Sequence, residues 1–462
     1  MRRSAVLSAV LLLGLALVLV SREPSTDARL KKAFRRAAQN GWIFVHLEGP
    51  PADIGYQHGY LLAPEIKDAF QVISTEMTHD EKKDWAFFRT TSREILWPKL
   101  PREYQQELEG IAAGLKARGA KLDVYDMVAM NAWLELPYYL RWRDKSRGGT
   151  APEHCSAFVA TGSYTRDGRP VIAHNNWTSY ASGERWNIIF DLAPTAGNRI
   201  LMDGMPGLIH SGDDFGMNSA GILITETTIS RFNGFDPDGT AEFARARRAM
   251  QYASSIDDFA RLMREGNNGG YANDWLVADR KTGEIASLEL GLKHVNLQRT
   301  KDGYFVGSNY PIDPALAREE TSFDLTDMSQ SPNARRVRWH QLIEENKGRI
   351  DVAAAQRFLA DHFDTFEKQD NPNERSIDGH IDLSPRGSQP WQPPFGIAGA
   401  VQNKAADAAM AEKMSLTAAL GHACGRDFKA ARHLKEHPEF GWQKSILRDM
   451  QAQPWTTFTA AQ

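Results

Sequence analysis

The sequence predicts an α+β protein in which antiparallel strands lie between layers of helix. From residue 56 to residue 139, apolar residues recur at intervals of three and four, which is typical of amphipathic helices. From Cys155 onward, short β-type runs follow one another, and helices interrupt them in blocks. This grouping of strands and helices favours a sheet that is covered by helical layers.

Proline and glycine mark the boundaries within the N-terminal helical region. Pro101 lies where the first turn of one helix should begin, and Gly119 lies where the same helix should end. Residues 144–152 contain two glycines and a proline, and they predict an exposed loop. The strands begin directly after this loop.

A hairpin opens the second part of the chain. Residues 155–160 and 169–174 are β-type runs, and the turn signal at 165–168 joins them. Further strands are predicted at 187–192, 222–227, 274–278, 285–290 and 304–308. Helices are predicted at 241–254, 256–264, 334–345 and 352–363. Residues 364–395, rich in Pro, Asn and Asp, are expected to form a long surface excursion.

The composition favours an enzyme and excludes several other classes of protein. The chain has 462 residues, a formal charge of -3, 42% hydrophobic residues and 24% charged residues. This balance excludes a disordered, collagenous or coiled-coil protein, and it lacks the basic excess of a nucleic-acid binder. With only Cys155 and Cys424, the chain cannot form a disulfide-rich scaffold or a four-cysteine zinc site.

Residues 1–21 have the layout of a signal peptide or a signal anchor. Two arginines precede an apolar run of about sixteen residues, which is short for a membrane span of roughly 20. The layout predicts an exported, cleaved protein in the periplasm or the medium. Because no clear cleavage site follows, retention by an uncleaved anchor is the alternative. The basic stretch at 29–36 is expected to be a solvated helix face, and contact with a membrane surface is the alternative.

Cys155 is the candidate nucleophile because of its position at the start of a strand. A lone strand cysteine is more often a small buried hydrophobic residue. A cut between His154 and Cys155, however, would free an α-amino group on the residue that bears the thiol. Such an amine titrates near roughly 7.7–8.0 and can accept the thiol proton, so that nucleophile and base belong to one residue.

Several short runs resemble the phospholipase B-like family. They are HCSAF at 154–158, HNNWTSY at 174–180, MPGLIHSGDDF at 205–215 and GYANDWLVAD at 270–279. Two further runs are similar to motifs of the wider N-terminal-nucleophile (Ntn) hydrolases, which include isopenicillin N acyltransferase and the bile-salt and penicillin V hydrolases. These are DIGYQHGYLL at 53–62 and FGIAGAVQNK at 395–404. The resemblance covers about residues 42–430.

The resemblance implies a four-layer αββα sandwich and self-cleavage before Cys155. Residues 22–154 would form a mainly helical N-terminal chain that stays docked, and residues 155–462 would form the catalytic chain. The same resemblance places Asn309 in the oxyanion hole and Arg335 beside the nucleophile, where its charge would lower the thiol pKa and keep the amine neutral. His174, on the strand paired with that of Cys155, either orients the thiol or is a structural histidine.

A second group of residues is expected around the substrate. The group consists of Asn176, Trp177, Thr178, Asn273 and Asp274. Thr178 departs from acyltransferase-like members of the superfamily, which carry an aspartate directly after the tryptophan. A hydroxyl cannot counter the charge of an ammonium group, so the local charge balance differs from that of the penicillin-type enzymes. Residues 176–178 also match a glycosylation sequon, which we discount because a glycan there would block the site.

No metal and no cofactor are expected. Asp213 and Asp214 suggest a metal site, but no histidine, cysteine or glutamate at ligand spacing accompanies them, so they are assigned to a turn or a substrate loop. Cys424 is expected to pack as a small apolar group.

The leading hypothesis is an exported, self-activated thiol hydrolase that cleaves an acyl group from an amide or ester. The resemblance points to acylated lipids, including phospholipids, as substrates. One alternative keeps the machinery and acts on N-acyl amino acids or penicillin-like amides, or transfers acyl groups between amines. The other is an exported binding or scaffold protein that is never processed.

Overall fold

Two β-sheets packed face to face lie at the centre of the protein, and helices cover the outer face of each. Between the sheets, Val159 of the smaller sheet and Leu223 of the larger one belong to one apolar cluster. Their chain neighbours point outward: Phe158 packs against Trp339 of a helix, and Ile224 joins the cluster of the N-terminal helices. This alternation follows from the two-residue period of a strand. The predicted four-layer αββα sandwich is confirmed.

The computed structural model describes residues 27–145, 154–388 and 392–461. The predicted leader at 1–21 and most of the predicted loop at 144–152 lie outside these ranges. Within them, no helix combines the length and the apolar composition that a membrane span requires.

The regular elements alternate between helical blocks and strands. The α-helices are α1 Pro51–Leu61, α2 Ala63–Glu81, α3 Trp85–Thr91, α4 Arg102–Ala117, α5 Val124–Asn131, α6 Leu136–Asp144, α7 Tyr180–Gly183, α8 Glu242–Tyr252, α9 Ile256–Arg264, α10 Pro314–Glu320, α11 Ser331–Glu345, α12 Val352–Leu359, α13 Ala408–Glu412 and α14 Ala430–Glu436. The strands are β1 Phe34–Arg35, β2 Ile43–Gly49, β3 His154–Thr161, β4 Val171–Ser179, β5 Ile188–Pro194, β6 Ile200–Gly204, β7 Gly216–Asn218, β8 Ile222–Thr228, β9 Asn273–Asp279, β10 Glu284–Leu290, β11 Val295–Thr300, β12 Gly303–Gly307, β13 Phe363–Asp364, β14 Gln369–Asp370, β15 Ala398–Asp407, β16 Ser415–Leu420 and β17 Thr456–Thr459.

The order of the strands brings distant parts of the chain together. The larger sheet has the order β1-β2-β5-β6-β7-β8-β9-β10-β11, and the smaller one has the order β12-β3-β4-β15-β16-β17. All pairs are antiparallel except β2 with β5, which is parallel. Strands β3 and β4 form the predicted hairpin, with β12 and β15 on either side of it.

The segment before Cys155 is integrated into the fold at two places. Strand β2 lies inside the larger sheet, between β1 and β5. Helices α1 and α4 approach until their backbones touch, because glycines face each other: a Cβ on Gly55 would lie 1.9 Å from the Glu107 carbonyl oxygen, and one on Gly114 would lie 2.3 Å from the Tyr56 carbonyl oxygen. The N-terminal helices and strand therefore share one core with the larger sheet.

The predicted helices and strands are largely confirmed. Helix α4 begins at Arg102, directly after Pro101, and Gly119 follows its end with a φ of 75°. Helix α9 has the predicted bounds, and α8, α11 and α12 overlap their predicted ranges. The strands predicted between residues 155 and 308 are all present within a few residues of their expected ends.

The prediction of a surface excursion at 364–395 is wrong for much of this segment. Arg375, Asp378 and His380 are fully buried. The polar residues of the segment are buried because they pair with one another: the Arg375 guanidinium donates to the Asp364 carboxylate. Composition alone suggested exposure, since it does not show which polar groups find partners.

The expectation that Cys424 packs as a small apolar group is also wrong. Cys424 is exposed. Its sulfur lies 3.7 Å from Nε2 of His380, and its backbone nitrogen donates to Asp378 Oδ2 at 3.0 Å. A polar cluster therefore surrounds this thiol.

Candidate active site

Cys155 is the second residue of strand β3, and its thiol is directed into the space between the two sheets. Ala157 and Val159, which share its face of the strand, belong to the cluster between the sheets. Only 3% of Cys155 is exposed. Its backbone nitrogen donates a hydrogen bond to Asn309 Oδ1 at 2.9 Å. The residue that the sequence singled out is thus buried at the junction of both sheets.

Arg335 approaches Cys155 from the outer, helical side of the smaller sheet. It is fully buried near the start of α11, and its guanidinium donates to the Cys155 carbonyl oxygen and, at 2.9 Å, to Ser156 Oγ. It also donates to Asn309 Oδ1 at 3.0 Å and to Ser331 Oγ at 2.9 Å. Burial lowers the pKa of Arg335 to about 9. The guanidinium is therefore held by several hydrogen bonds around the backbone of Cys155.

The amide of Asn309 is fixed in one orientation by its neighbours. Its oxygen accepts from both the Cys155 nitrogen and Arg335, and its nitrogen donates to the Thr228 carbonyl oxygen at 2.9 Å. The backbone of Asn309 is left-handed, with a φ of 67°, a conformation that asparagine tolerates better than most residues. The predicted oxyanion role concerns the amide nitrogen and stays a prediction. The contact of the amide oxygen with Cys155 was not foreseen from the sequence.

The register of the hairpin places Asn176, not His174, directly across from Cys155. His174 lies opposite Ala157, one pair further along the same face. One ligand atom from each of Cys155, His174 and Glu226 nevertheless lies within 4.8 Å of the others. The structure thus brings His174 close to the thiol, as the sequence predicted, and adds Glu226, which the sequence analysis missed.

His174 is a neutral side chain in this environment. It is fully buried. Burial, together with the positive charge of Lys404, lowers the pKa of His174 to about 3. Its role, whether in orienting the thiol or in packing, stays a prediction.

A buried ion cluster lies beside the histidine and was missed by the sequence analysis. Lys404 of β15 lies opposite His174 and donates to the carboxylates of Asp213 and, at 3.0 Å, Asp203. Asp213 belongs to a loop, as expected, but the loop is buried and its carboxylate also approaches His174 Nδ1 at 3.9 Å. Lys404 and Asp213 both lie within runs that resemble the family, which was the only signal for them.

The electrostatics around the thiol keep it protonated in the intact chain. Burial raises the pKa of Cys155 well above its ordinary value, and the negative charges of Glu226 and Asp213 raise it further, while Lys404 opposes them. His154 and Cys155 are consecutive residues of β3, so this is the state before any cleavage. A reactive thiolate at this position therefore requires a nearby base.

The remaining predicted residues lie on β4, beside Arg335 and a cavity, or at the start of β9. Trp177 stacks against Arg335, with 4.4 Å from the guanidinium carbon to the ring centroid, and Thr178 lines a cavity of about 310 Å³. The side-chain nitrogen of Asn176 has no hydrogen-bond partner among the described residues.

Asn273 and Asp274, at the start of β9, make no described hydrogen bond to Cys155. Asp274 accepts from Ser287 Oγ at 2.6 Å, and burial raises its pKa to about 7.

The model of the family described as Phospholipase B matches residues 54–296, which is just over half of the chain. The chain belongs to the phospholipase B family. The matched part includes Cys155, His174 and Asn273, and it ends before Asn309 and Arg335. The family match therefore says nothing of those last two residues, and their predicted roles stay predictions.

Several known proteins are similar to this member of the phospholipase B family. Phospholipase B-like 1 of Rattus norvegicus is 29% identical over 271 residues, covering 49% of this chain and 47% of the rat protein. Phospholipase B-like 1 of Homo sapiens is 24% identical over 281 residues, covering 52% and 50%. An uncharacterized protein of Archaeoglobus fulgidus is 27% identical over 258 residues, covering 52% and 42%. The alignments span about half the length of these relatives.

Among solved structures, a variant of conjugated bile acid hydrolase from Clostridium perfringens is similar at 12% identity. The similarity covers 58% of this chain and 81% of the hydrolase, with a TM-score of 0.29.

Proposed function

We propose that this protein is an exported cysteine hydrolase that activates itself by cleavage before Cys155 and then removes an acyl group from an amide or ester. The observation that carries the proposal is the hydrogen bond from the Cys155 backbone nitrogen to Asn309 Oδ1 at 2.9 Å. This nitrogen would become the free amine after cleavage. Its acceptor, and the Arg335 guanidinium bound to the same oxygen, are already in place in the intact chain.

The activation step uses the thiol of Cys155 against the peptide bond that precedes it. Sulfur adds to the carbonyl carbon of His154, the carbon–nitrogen bond breaks, and the thiol proton passes to the departing nitrogen. Water then hydrolyses the thioester, which leaves a carboxylate on His154 and both a thiol and an amine on Cys155. The atoms balance with water as the only co-reactant.

Turnover then uses the amine as the base. The neutral amine accepts the thiol proton, sulfur attacks the acyl carbonyl, and the protonated amine returns a proton to the leaving group. Water hydrolyses the acyl thioester. Asn309 Nδ2 has two hydrogens and donates one to Thr228, so the second is the donor that we assign to the oxyanion.

Arg335 has an electrostatic role in this scheme. Its guanidinium lies 3.0 Å from the Asn309 oxygen that accepts from the Cys155 nitrogen. A positive charge at this distance disfavours a second charge on the amine, so that the amine pKa falls and the neutral base is available near neutral pH. His174, whose pKa is lowered to about 3, cannot supply that charge.

We propose acylated lipids, including phospholipids, as the substrates. The family membership supports this class, and the cavity of about 310 Å³ beside Thr178 supplies a place for an acyl chain. Apolar residues from both parts of the chain contribute to its lining. They include Met77, Trp133, Ile397 and Phe440. N-acyl amides use the same chemistry and are the substrates to compare.

The N-terminal piece should remain bound after cleavage, and a cleaved leader would accompany export. Strand β2 lies within the larger sheet and the helices α1–α6 share its apolar cluster, so release would expose a large apolar surface. The leader at 1–21 supports export, as the sequence analysis expects.

The experiment reads the first residues of the purified protein and follows hydrolysis of a small panel. The panel contains lysophospholipids, diacyl phospholipids and N-acyl amino acids. Wild type should give two co-purifying pieces, the larger beginning Cys-Ser-Ala-Phe, whereas Cys155→Ala should stay intact and inactive. Cys155→Ser keeps a weaker nucleophile and serves as the matched control, with slow cleavage. A wild-type chain that stays intact, or hydrolysis that persists in Cys155→Ala, would contradict the proposal.

A further inference from the structure

A second cluster of side chains with lone pairs lies away from Cys155, in the segment that the sequence analysis assigned to the surface. Single ligand atoms of His362, Asp378, His380 and Cys424 all lie within 4.8 Å of one another. Asp378 and His380 are fully buried, while Cys424 is exposed at the edge of the cluster. The four residues come from two distant parts of the chain, which is why their spacing gave no signal in the sequence.

Four of the six separations within the cluster are close to those around a tetrahedral metal ion, and the other two are at most 4.8 Å. His362 Nε2 lies 3.2 Å from both Asp378 Oδ2 and His380 Nε2. His380 Nε2 lies 3.6 Å from Asp378 Oδ2 and 3.7 Å from the sulfur of Cys424. With metal bonds of about 2.0–2.1 Å to nitrogen and about 2.3 Å to sulfur, neighbouring ligands of a tetrahedron lie about 3.3–3.6 Å apart. One ion at the centre would therefore reach all four atoms with little movement.

The donor atoms of the cluster favour zinc over calcium and magnesium. Two imidazoles and a thiolate are soft or intermediate ligands that suit Zn²⁺, whereas Ca²⁺ and Mg²⁺ require oxygen ligands. A thiolate and a carboxylate also bring two negative charges, which Zn²⁺ neutralises. This balance matters for Asp378, because its ion-pair partners among the described residues are all histidines.

Two contacts position the carboxylate of Asp378 within the cluster. Asp378 Oδ2 accepts from the Cys424 backbone nitrogen at 3.0 Å, which holds the turn that carries the thiol. The other carboxylate oxygen of Asp378 lies 3.3 Å from His422 Nδ1. Such contacts orient the ligating carboxylate independently of the metal.

We propose that His362, Asp378, His380 and Cys424 bind a structural zinc ion. On binding, the sulfur–hydrogen bond of Cys424 breaks, the sulfur–zinc bond forms, and the proton passes to solvent. All four positions are filled by the protein, so no position is left for a reacting water. The ion is therefore not part of the hydrolytic chemistry.

The zinc ion would fix residues 362–380, which contact Trp177 on the strand that carries the candidate active-site residues. Between the ligands His362 and His380, the Ile377 carbonyl oxygen accepts from Trp177 Nε1 at 3.1 Å. Trp177 in turn stacks against Arg335. The zinc cluster thus ties residues 362–380 to the turn at Cys424 and fixes the support of the Arg335 guanidinium.

The test measures metal on the purified full-length protein. Zinc content by mass spectrometry should be about one ion per chain, and the cobalt-substituted protein should show the near-ultraviolet band of a cobalt–thiolate bond. Cys424→Ser should weaken zinc binding by at least about tenfold and remove that band. Because Cys424 is exposed, this variant should fold normally, as circular dichroism checks.

Two control variants locate the ion. Cys155→Ala should retain both the zinc content and the cobalt–thiolate band. Among the described residues, Cys155, His174 and Glu226 form the other cluster that contains a thiol. His79→Gln, at a half-exposed histidine on α2, should also retain both. Absence of zinc binding at micromolar free zinc, an unchanged band in Cys424→Ser, or loss of the band in Cys155→Ala would each overturn the proposal.

Discussion

The backbone nitrogen of Cys155 donates a hydrogen bond to the side-chain oxygen of Asn309, a residue 154 positions later, at 2.9 Å. The same oxygen accepts from Arg335 at 3.0 Å. Two donors on one oxygen leave the amide nitrogen on the opposite side, where it meets Thr228. In the proposed mechanism, Asn309 would act on the amine through its side-chain oxygen and on the substrate through its side-chain nitrogen.

Substitution of Asn309 separates these two contributions. Asn309→Ala removes both atoms and should lower kcat about 100-fold or more, while self-cleavage continues more slowly. Asn309→Asp keeps an oxygen for the Cys155 nitrogen and removes the amide donor. If the donor stabilises the oxyanion, the Asp variant should be as slow in turnover as the Ala variant, measured by steady-state kinetics on the processed protein.

The left-handed backbone at Asn309 calls for a further control. With a φ of 67°, alanine adds backbone strain of about 1 kcal/mol that has nothing to do with chemistry. Asn309→Gly removes the side chain without that strain. Full turnover in the Gly variant would remove Asn309 from the mechanism.

The fold was predictable from the sequence to the extent that its signals are local. The period of three and four in the N-terminal helices and the turn at 165–168 are properties of neighbouring residues. The register of the hairpin is not, and it placed Asn176 rather than His174 across from Cys155. Family resemblance, and not periodicity, supplied Asn309 and Arg335.

Long-range pairing explains what the sequence could not show. Lys404 finds Asp203 and Asp213, about two hundred residues earlier, only after the two sheets have packed. The segment at 364–395 looked polar enough for the surface, yet Arg375 donates to the Asp364 carboxylate inside the protein. Composition records polar groups but not their partners.

Lys404 should be essential for stability. Replacing it in Lys404→Met leaves the carboxylates of Asp203 and Asp213 buried without a cation, which should lower the free energy of unfolding by about 3–5 kcal/mol. Lys413→Met removes an exposed lysine of the same region and is the matched control. Denaturant unfolding of both variants measures the effect, and a loss below about 1 kcal/mol for Lys404→Met would contradict this interpretation.

Gly379 should be required for the support of Arg335. A Cβ at this position would lie 2.0 Å from the indole ring of Trp177, so Gly379→Ala must displace the ring that stacks against the guanidinium. We expect a loss of about 1–3 kcal/mol in stability together with reduced turnover. Gly441→Ala, where a Cβ has open space, should change neither quantity. A Gly379→Ala variant that is stable and fully active would show that Trp177 does not support Arg335.

His58 should make the folded state sensitive to acid. Its Nε2 accepts from the Gly207 backbone nitrogen at 2.9 Å, and burial lowers its pKa from 6.5 to about 3. Below 6.5 the unfolded chain therefore binds a proton that the folded chain does not, so this contribution to stability is present above 6.5 and is lost as the pH falls toward 3.

The matched variant for this effect is His58→Gln, whose side chain keeps an acceptor and does not titrate. Between about pH 7 and about pH 4, its free energy of unfolding should fall by about 3 kcal/mol less than that of wild type. His79→Gln should follow wild type. Equal pH dependence in wild type and His58→Gln, measured by urea unfolding, would show that His58 is not neutral in the folded protein.

Arg335 should set the pH at which the enzyme begins to work. If its charge lowers the pKa of the Cys155 amine, Arg335→Gln raises that pKa, and the acid limb of the kcat/KM profile should move to higher pH. Arg336→Gln, on the neighbouring half-buried arginine that stacks on Tyr310, should leave the limb in place. Where Arg335→Gln does not process itself, an engineered protease site before Cys155 supplies the amine. If Arg335→Gln lowers kcat but leaves the acid limb of the kcat/KM profile in place, Arg335 only positions Asn309. The loss of its hydrogen bond to Asn309 would then explain the slower reaction.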